Sequence, residues 1–223
     1  MALSATKLGD HPMNFHSRLT KTALFVVASG VLGLVGCGGG GGGGGDAAAP
    51  APITTTTVAL PETGQTTCSF LGAVALCAGT GQDGELRAGV AWPNPRFVAG
   101  SGATTNCVSD NLTGLMWMRG PNAISANWTT ALTNANDLLL CGFSDWRLPN
   151  RKELRSLVNY GVADNAASLN TQGFTSVQTG SYWTSSSNAA GASNAWLVTM
   201  STGEVSWQGK NLSAFVWPVR AGQ

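Results

Sequence analysis

The chain has 223 residues and a formal net charge of +1, and charged residues make up only 10% of it, against roughly 25% in an average globular protein. A balance this neutral argues against partners held by bulk charge, nucleic acid included. The length suits one domain of ordinary size with a tail, and frequent Asn, Ser and Thr suit a secreted or cell-surface protein.

Lys7, Arg18 and Lys21 precede an apolar run from Ala23 to Val35. A basic start, a short apolar core and small residues at its end predict a secretory signal over residues 1–36, too short to span a membrane comfortably. The ending Leu34-Val35-Gly36-Cys37 resembles the lipobox of bacterial lipoproteins. The resemblance implies cleavage before Cys37, a lipid on that cysteine and a membrane as partner. Gly38, standing where an Asp would argue for inner-membrane retention, implies the outer membrane or cell surface. Gly38 to Gly45 is unbroken glycine, and Ala, Pro and Thr dominate the residues after it. Residues 37–66 are therefore expected to be a flexible tether, with a span on the order of 30 Å. Residues 67–223 are expected to be the folded domain.

Cys68, Cys77, Cys107 and Cys141 are an even set in an exported chain, which predicts two disulfides. Three pairings exist, and the sequential one, Cys68–Cys77 with Cys107–Cys141, leaves no crossed loops. Metal binding is not expected: no pair has CxxC spacing, and His11 and His16 fall in the signal. No cofactor is expected either. Gly79 to Gly84 reads as a turn-rich loop without the Lys-Ser/Thr of a phosphate loop. Val90 to Val98 reads as an extended edge segment because of Pro93 and Pro95. Val108 to Met118 reads as a hairpin that turns over Asp110 to Gly114, with Leu115 to Met118 buried.

Ser125 or Asn127 is expected to cap a helix over about 128–140, with Trp128, Ala131, Leu132, Ala135, Leu138 and Leu139 on its apolar face. The run Asp145 to Leu154 then packs an acid, an indole, a guanidinium, a proline and a helix start into ten residues. Asp145 and Arg147 are expected to pair beside a buried Trp146. Pro149 holds Leu148 extended. Asn150 caps a second helix, with Glu153 completing a capping box. That helix should bury Leu154, Leu157 and Val158, expose Arg151, Lys152 and Arg155, and end near Tyr160, with Gly161 as its C-cap. A loop follows to about Phe174. Strands are expected over Tyr182–Ser186, Ala195–Met200, Glu204–Trp207 and Phe215–Arg220. Two helices and a meander of short antiparallel strands give the class α+β.

Several segments together carry a family resemblance: Thr113-Gly114-Leu115-Met116-Trp117; Trp128 with Ala131 and Asn134 to Asn136; Asp145 to Leu154; Tyr182 to Ser186; Ala195-Trp196; and Val219-Arg220. In this order, over about residues 79–221, they resemble the Lcl C-terminal domain family, named for a bacterial collagen-like adhesin. The resemblance implies a fold akin to C-type lectins and to the formylglycine-generating enzyme. It also implies an extracellular binding role, for the named member attachment to sulfated polysaccharide, with trimers for that type. The chain lacks a collagen-like stalk to drive trimers. From Asp46 onward it has 9 Lys+Arg against 10 Asp+Glu, a net of about −1.

Two functions are weighed. The first is a lipid-anchored envelope module that recognises a glycan or surface protein, with Arg151, Lys152, Arg155, Trp207 and Lys210 as the candidate ligand residues. The second is a structural envelope protein without a small ligand, in which Arg151, Lys152 and Arg155 are only a solvated helix face. Trp183, Trp196, Trp207 and Trp217 are each read either as core or as sugar-facing indoles, with Trp207 expected on a ligand-facing loop. Catalysis is not expected, because the chain after Cys37 has no His to act as base and most of its acids have structural readings. An oxidase akin to the formylglycine-generating enzyme would need Cys107 and Cys141 as a reactive pair. The corner at Asp145, Trp146, Arg147, Pro149 and Asn150 is expected to be structural.

Overall fold

The computed structural model describes residues 60–121 and 124–222. The expected signal, Cys37 and most of the expected tether lie outside them. Leu60 and Glu62, within the stretch expected to be tether, are bonded to the chain around Val90. Leu60 accepts from Val90 N–H and Glu62 N–H donates to the Val90 carbonyl, and the Glu62 carbonyl accepts from the Trp92 indole at 2.8 Å. Composition concealed this, because such contacts use backbone groups that any sequence has.

The architecture is α+β, built on two sheets. The four-stranded sheet contains β3 (Phe97–Ala99), β4 (Cys107–Asp110), β5 (Leu115–Met118) and β11 (Val219–Ala221), in the order β11-β5-β4-β3 and antiparallel throughout. The five-stranded sheet contains β6 (Ser125–Asn127), β7 (Ser181–Ser187), β8 (Asn194–Thr199), β9 (Val205–Gly209) and β10 (Ser213–Phe215), in the order β6-β10-β7-β8-β9. A separate hairpin pairs β1 (Cys68–Phe70) with β2 (Ala73–Ala75). The helices are α1 (Asp83–Leu86), α2 (Trp128–Asn136), α3 (Arg151–Ser156) and α4 (Asn165–Thr171).

Two expectations of a simple meander fail. First, the closing segment is not one strand. β10 joins the five-stranded sheet, parallel to β7, and β11 joins the other. Pro218 has no N–H for a ladder, and the break carries Trp217 into the core. Second, α4 replaces the expected loop before Phe174. Asp164 caps it by accepting from Ala167 N–H, and it buries Ala166 and Leu169. Its Ser and Asn content hid it, since those residues have low helix propensity and tertiary packing overrides it.

Both expected helices are shorter than their periodicity suggests. α2 is capped by Asn127, as expected, but ends at Asn136, and Asn134, Asn136 and Asp137 give it a weak last turn. Leu139 is therefore exposed instead of facing the core. α3 has the full Asn150–Glu153 capping box and stops at Ser156, with Leu157 as C-cap. Gly161 is not a cap: a Cβ there would overlap the Gly64 carbonyl oxygen, so it is a close-approach glycine.

Strand alternation builds two cores. Val219, Trp117 and Val108 stand opposite one another across the four-stranded sheet. They pack with Leu154, Leu169, Phe174, Tyr182, Val198 and Trp217. On the other side of the five-stranded sheet, Trp183, Ala195 and Leu197 pack with Ala131 and Ala135 of α2 and with Leu148. Burial pushes the Tyr182 phenol up to about 12, although its oxygen accepts from Gln178 N–H. Both sequential disulfides are present, Cys68–Cys77 and Cys107–Cys141.

Candidate functional site

The Asp145 to Leu154 corner positions the site. Trp146 is buried and donates its indole N–H to the Leu140 carbonyl at 3.1 Å. Arg147 and Val219 exchange two backbone hydrogen bonds of 2.9 Å, an antiparallel bridge that ties the corner to β11. Buried Pro149 accepts from Ser185 N–H at 2.8 Å, which ties it to β7. Arg151 N–H donates to the Ser186 hydroxyl at 3.1 Å. The first turn of α3 is thus held against the end of β7.

The expected Asp145–Arg147 pair does not form. The bridge at Arg147 runs Asp145 alongside Arg220, and the Arg220 fork holds the Asp145 carboxylate at 2.7 and 3.1 Å. That hydrogen bonding keeps Asp145 below its usual carboxylate range. Arg147 instead reaches forward over the helix start and forks onto Glu153, with both contacts at 2.8 Å. Burial pushes the Glu153 carboxyl up. The Arg147 hydrogen bonds, the Asn150 N–H and the Arg147 charge outweigh it and leave Glu153 lowered. The sequence shows that these charges will be paired but not with which partner: Asp145 is taken by Arg220, 75 residues on in β11, which leaves Arg147 to Glu153.

A depression of about 340 Å³ opens beside this corner, lined by Asn150, Arg151, Lys152, Ser186, Ser187 and Trp196. The Arg151 guanidinium lies over the Trp196 indole, 4.6 Å from its centroid. Trp207 stands directly opposite Trp196 on β9, so the two indoles share one face of the sheet. Trp207 is 55% exposed. Lys210 closes the β7 end: its ammonium donates to the Ser187 hydroxyl and the Ala192 carbonyl, each at 2.8 Å. It also sits 4.1 Å over the Trp128 ring. The result is an exposed indole beside a partly buried one at a sheet edge, with two cations, Arg151 and Lys152, and two serine hydroxyls at the Trp196 end, while Lys210 turns to Trp128.

Of the five candidate ligand residues, Arg151 and Lys152 line the depression, Trp207 stands beside Trp196, and Lys210 is bonded to Ser187 at its end with its ammonium over Trp128. Arg155 is not at this edge. Its guanidinium donates to the Tyr160 hydroxyl at 3.0 Å, beyond the far end of α3. Trp207 is exposed as expected, but on edge strand β9, where neighbouring backbone fixes its direction, and not on a loop. Of the other indoles, Trp183 and Trp217 are core. Trp196 joins the site although Val198, on the same strand face, is fully buried, so strand alternation does not tell the two apart.

The groups at this edge are ones that can make noncovalent contacts. Indole faces take apolar sugar or alkyl surface, the cations take anionic or hydroxyl groups, and the serines take hydrogen bonds. Among the described residues, no group of three His, Cys, Asp or Glu is placed to hold a metal ion. The two cysteines an oxidase reading would need form a disulfide that ties β4 to the start of the corner.

One prediction concerns the corner. Glu153 is lowered from an ordinary value of 4.5, so its ionised form belongs to the fold. Its contribution is complete above about pH 4.5 and is lost as pH falls through the lowered value. Arg147 is partly exposed, so Arg147→Ala is expected to cost only about 1 kcal/mol at pH 7. Urea titrations between pH 3 and 7 should show a shallower acid limb for Arg147→Ala than for the parent chain. Parallel limbs would mean that the Arg147–Glu153 pair does not carry the pH dependence.

No curated protein matches this chain. The family model for the Lcl C-terminal domain matches residues 106–220. The match begins one residue before β4 and ends within β11, and it includes the corner and the whole Trp196–Trp207 edge. It covers just over half of the 223 residues. The chain belongs to the Lcl C-terminal domain family.

Proposed function

We propose that this protein is a lipid-anchored cell-envelope binding module that recognises extracellular polysaccharide through the Trp196–Trp207 edge. The observation that supports it best is the β8–β9 register. It sets two incompletely buried indoles side by side on a strand pair, with Arg151 and Lys152 beside Trp196. Water disfavours exposed indole, and Trp207 keeps more than half of its surface open. Rigid aromatic rings beside hydroxyls and cations bind a sugar face with little loss of conformational freedom. The reading includes a C-type-lectin-like fold, a lipid on Cys37, and placement at the outer membrane or cell surface.

A structural envelope protein is the competing function, favoured by the engagement of Arg151 and Lys210 with indoles and with the sheet. A glycan-array screen of the full chain separates the two. Specific binding is expected, and Trp207→Ala or Trp196→Ala should weaken it roughly tenfold or more, as anchor residues at an interface centre do. Arg151→Ala should weaken it as well, and Arg155→Ala should leave it unchanged. Silence across the array would remove the binding function. Mass spectrometry of the mature N-terminus is expected to find lipid on Cys37, and an unmodified terminus elsewhere would remove the anchor.

A further inference from the structure

The β1–β2 hairpin lies outside the family match and outside both core clusters. Its register pairs Cys68 with Ala75, Ser69 with Val74 and Phe70 with Ala73. The Cys68–Cys77 disulfide closes its base. Leu71 and Gly72 form the two-residue loop, with φ of +50° and +82°. Positive φ at both central positions is the setting that selects Asn-Gly or Gly-Gly, and a bulky residue there is uncommon. Water also selects against leucine at a tip that is 93% exposed. Backbone and solvent preferences agree, and the sequence violates both, which marks a position kept for something other than folding.

The rest of the hairpin has the same character. Phe70, Val74 and Leu76 are exposed. Phe70 points to one face with Ala73, Val74 points to the other, and Leu71 is at the tip. No residue from Thr63 to Gln82 is charged. A docking patch for a folded partner is one face with a polar rim. Here both faces and the tip are apolar, and the polar rim is at the base. There the Glu85 carboxylate accepts from Gly79 N–H and Gly81 N–H, which hold it below the usual carboxylate range, and Thr63 donates to Asp83.

We propose that the hairpin is a membrane wedge that inserts shallowly into a lipid bilayer surface. Three-residue strands reach roughly 10 Å, which matches the about 5–10 Å depth of interfacial insertion. Deeper entry is barred, because the outer edges of a two-stranded ribbon carry unpaired backbone groups. The chain outside the described residues points the same way. Cys37 lies 23 residues before Leu60, and the segment from Leu60 enters the domain at the hairpin base, where Ser69 N–H donates to Gln82 and Thr63 meets Asp83. A lipid on Cys37 would make a weak insertion intramolecular, and two attachments would orient a domain that one lets swivel. The inference rests on the anchored reading only for the nearness of a bilayer.

The test uses the full chain with L71W, and in parallel with L76W, on vesicles of phosphatidylcholine with and without bromine on the acyl chains. The parent chain supplies the background of its own indoles. In each variant the added emission should shift to the blue on vesicles and fall at least twofold when the lipid is brominated. Adding V74D to L71W should abolish both changes. Added emission of equal intensity on the two lipids would overturn the proposal. So would a blue shift without vesicles accompanied by a doubled mass in sedimentation, which would make a second copy the occupant. Quenching with an unmodified Cys37 keeps the wedge and removes only the anchor. A lipid-modified Cys37 without quenching removes the wedge and leaves the anchor.

Discussion

Asp110→Ala is expected to lower the unfolding free energy by about 3–5 kcal/mol, as removal of one partner from a buried ion pair does. Asp110 and Arg96 form a buried pair whose side chains are 0% and 3% exposed. Arg96 forks onto Asp110 with two contacts of 3.1 Å and donates a third bond to the Ser156 carbonyl at 2.6 Å. Asp110 also accepts from Leu112 N–H and the Thr113 hydroxyl, so it holds the β4–β5 turn as well. The alanine variant would bury an uncompensated guanidinium whose Nη1 has no hydrogen-bond partner among the described residues. The melting temperature should fall on the order of 10 °C for a domain of this size. Asp110→Asn keeps the turn acceptor and loses the charge, so it should fall between the two. Arg96→Met combined with Asp110→Leu should recover part of the loss, because an apolar pair removes the stranded charge. A single Asp110→Ala loss under about 1 kcal/mol in urea would show that water reaches the pair.

Trp217→Ala should cost a similar amount, about 3–5 kcal/mol, through lost burial and the cavity left behind. Trp217 is fully buried between the sheets. Its ring centroid lies 5.8 Å from Trp117, 5.2 Å from Phe174 and 5.3 Å from Tyr182, and the Trp117 and Phe174 rings meet it edge to face. Its indole N–H donates to the Met118 carbonyl at 2.8 Å. The residue sits where the chain leaves β10 for β11, so it joins the two sheets as well as filling the space between them. Trp217→Phe keeps most of the contact area and should cost clearly less than alanine. Equal losses for the two variants would assign the effect to the hydrogen bond instead of the packing.

The sequence alone does not show how either residue is held, and the reasons differ. Asp110 was legible as a turn residue, because Asp before Asn and Thr-Gly is local chemistry. Its partner Arg96 was not, because that contact depends on the β3–β4 register. Trp217 read either as core or as a sugar-facing indole. The sheet change at Pro218 decides for core, and one residue of slip would have turned the indole to the other face.

The site divides in the same way. Asn150, Glu153 and the exposure of Arg151 and Lys152 follow from capping and helical spacing, and they were readable. The stacking of Arg151 on Trp196, the diversion of Arg155 to Tyr160 and the pairing of Trp196 with Trp207 were not. Each depends on where a helix stops or on which strands are neighbours.

By itself the sequence determined the α+β class, the hairpin at Asp110 to Gly114, the Asn150 cap and the family, through the Asp145 to Leu154 run and its companions; it narrowed the first cap to Ser125 or Asn127 and favoured the sequential disulfides. Those features rest on interactions within a few residues, or on the simplest order of a few cysteines. Tertiary structure alone decided the partners of Asp145, Arg147 and Asp110, the split of the closing strand between two sheets, and which indoles face solvent. Most of those depend on strand register, which joins residues tens of positions apart and leaves no local trace in composition or periodicity, and Arg147 turns to nearby Glu153 only because Arg220 holds Asp145.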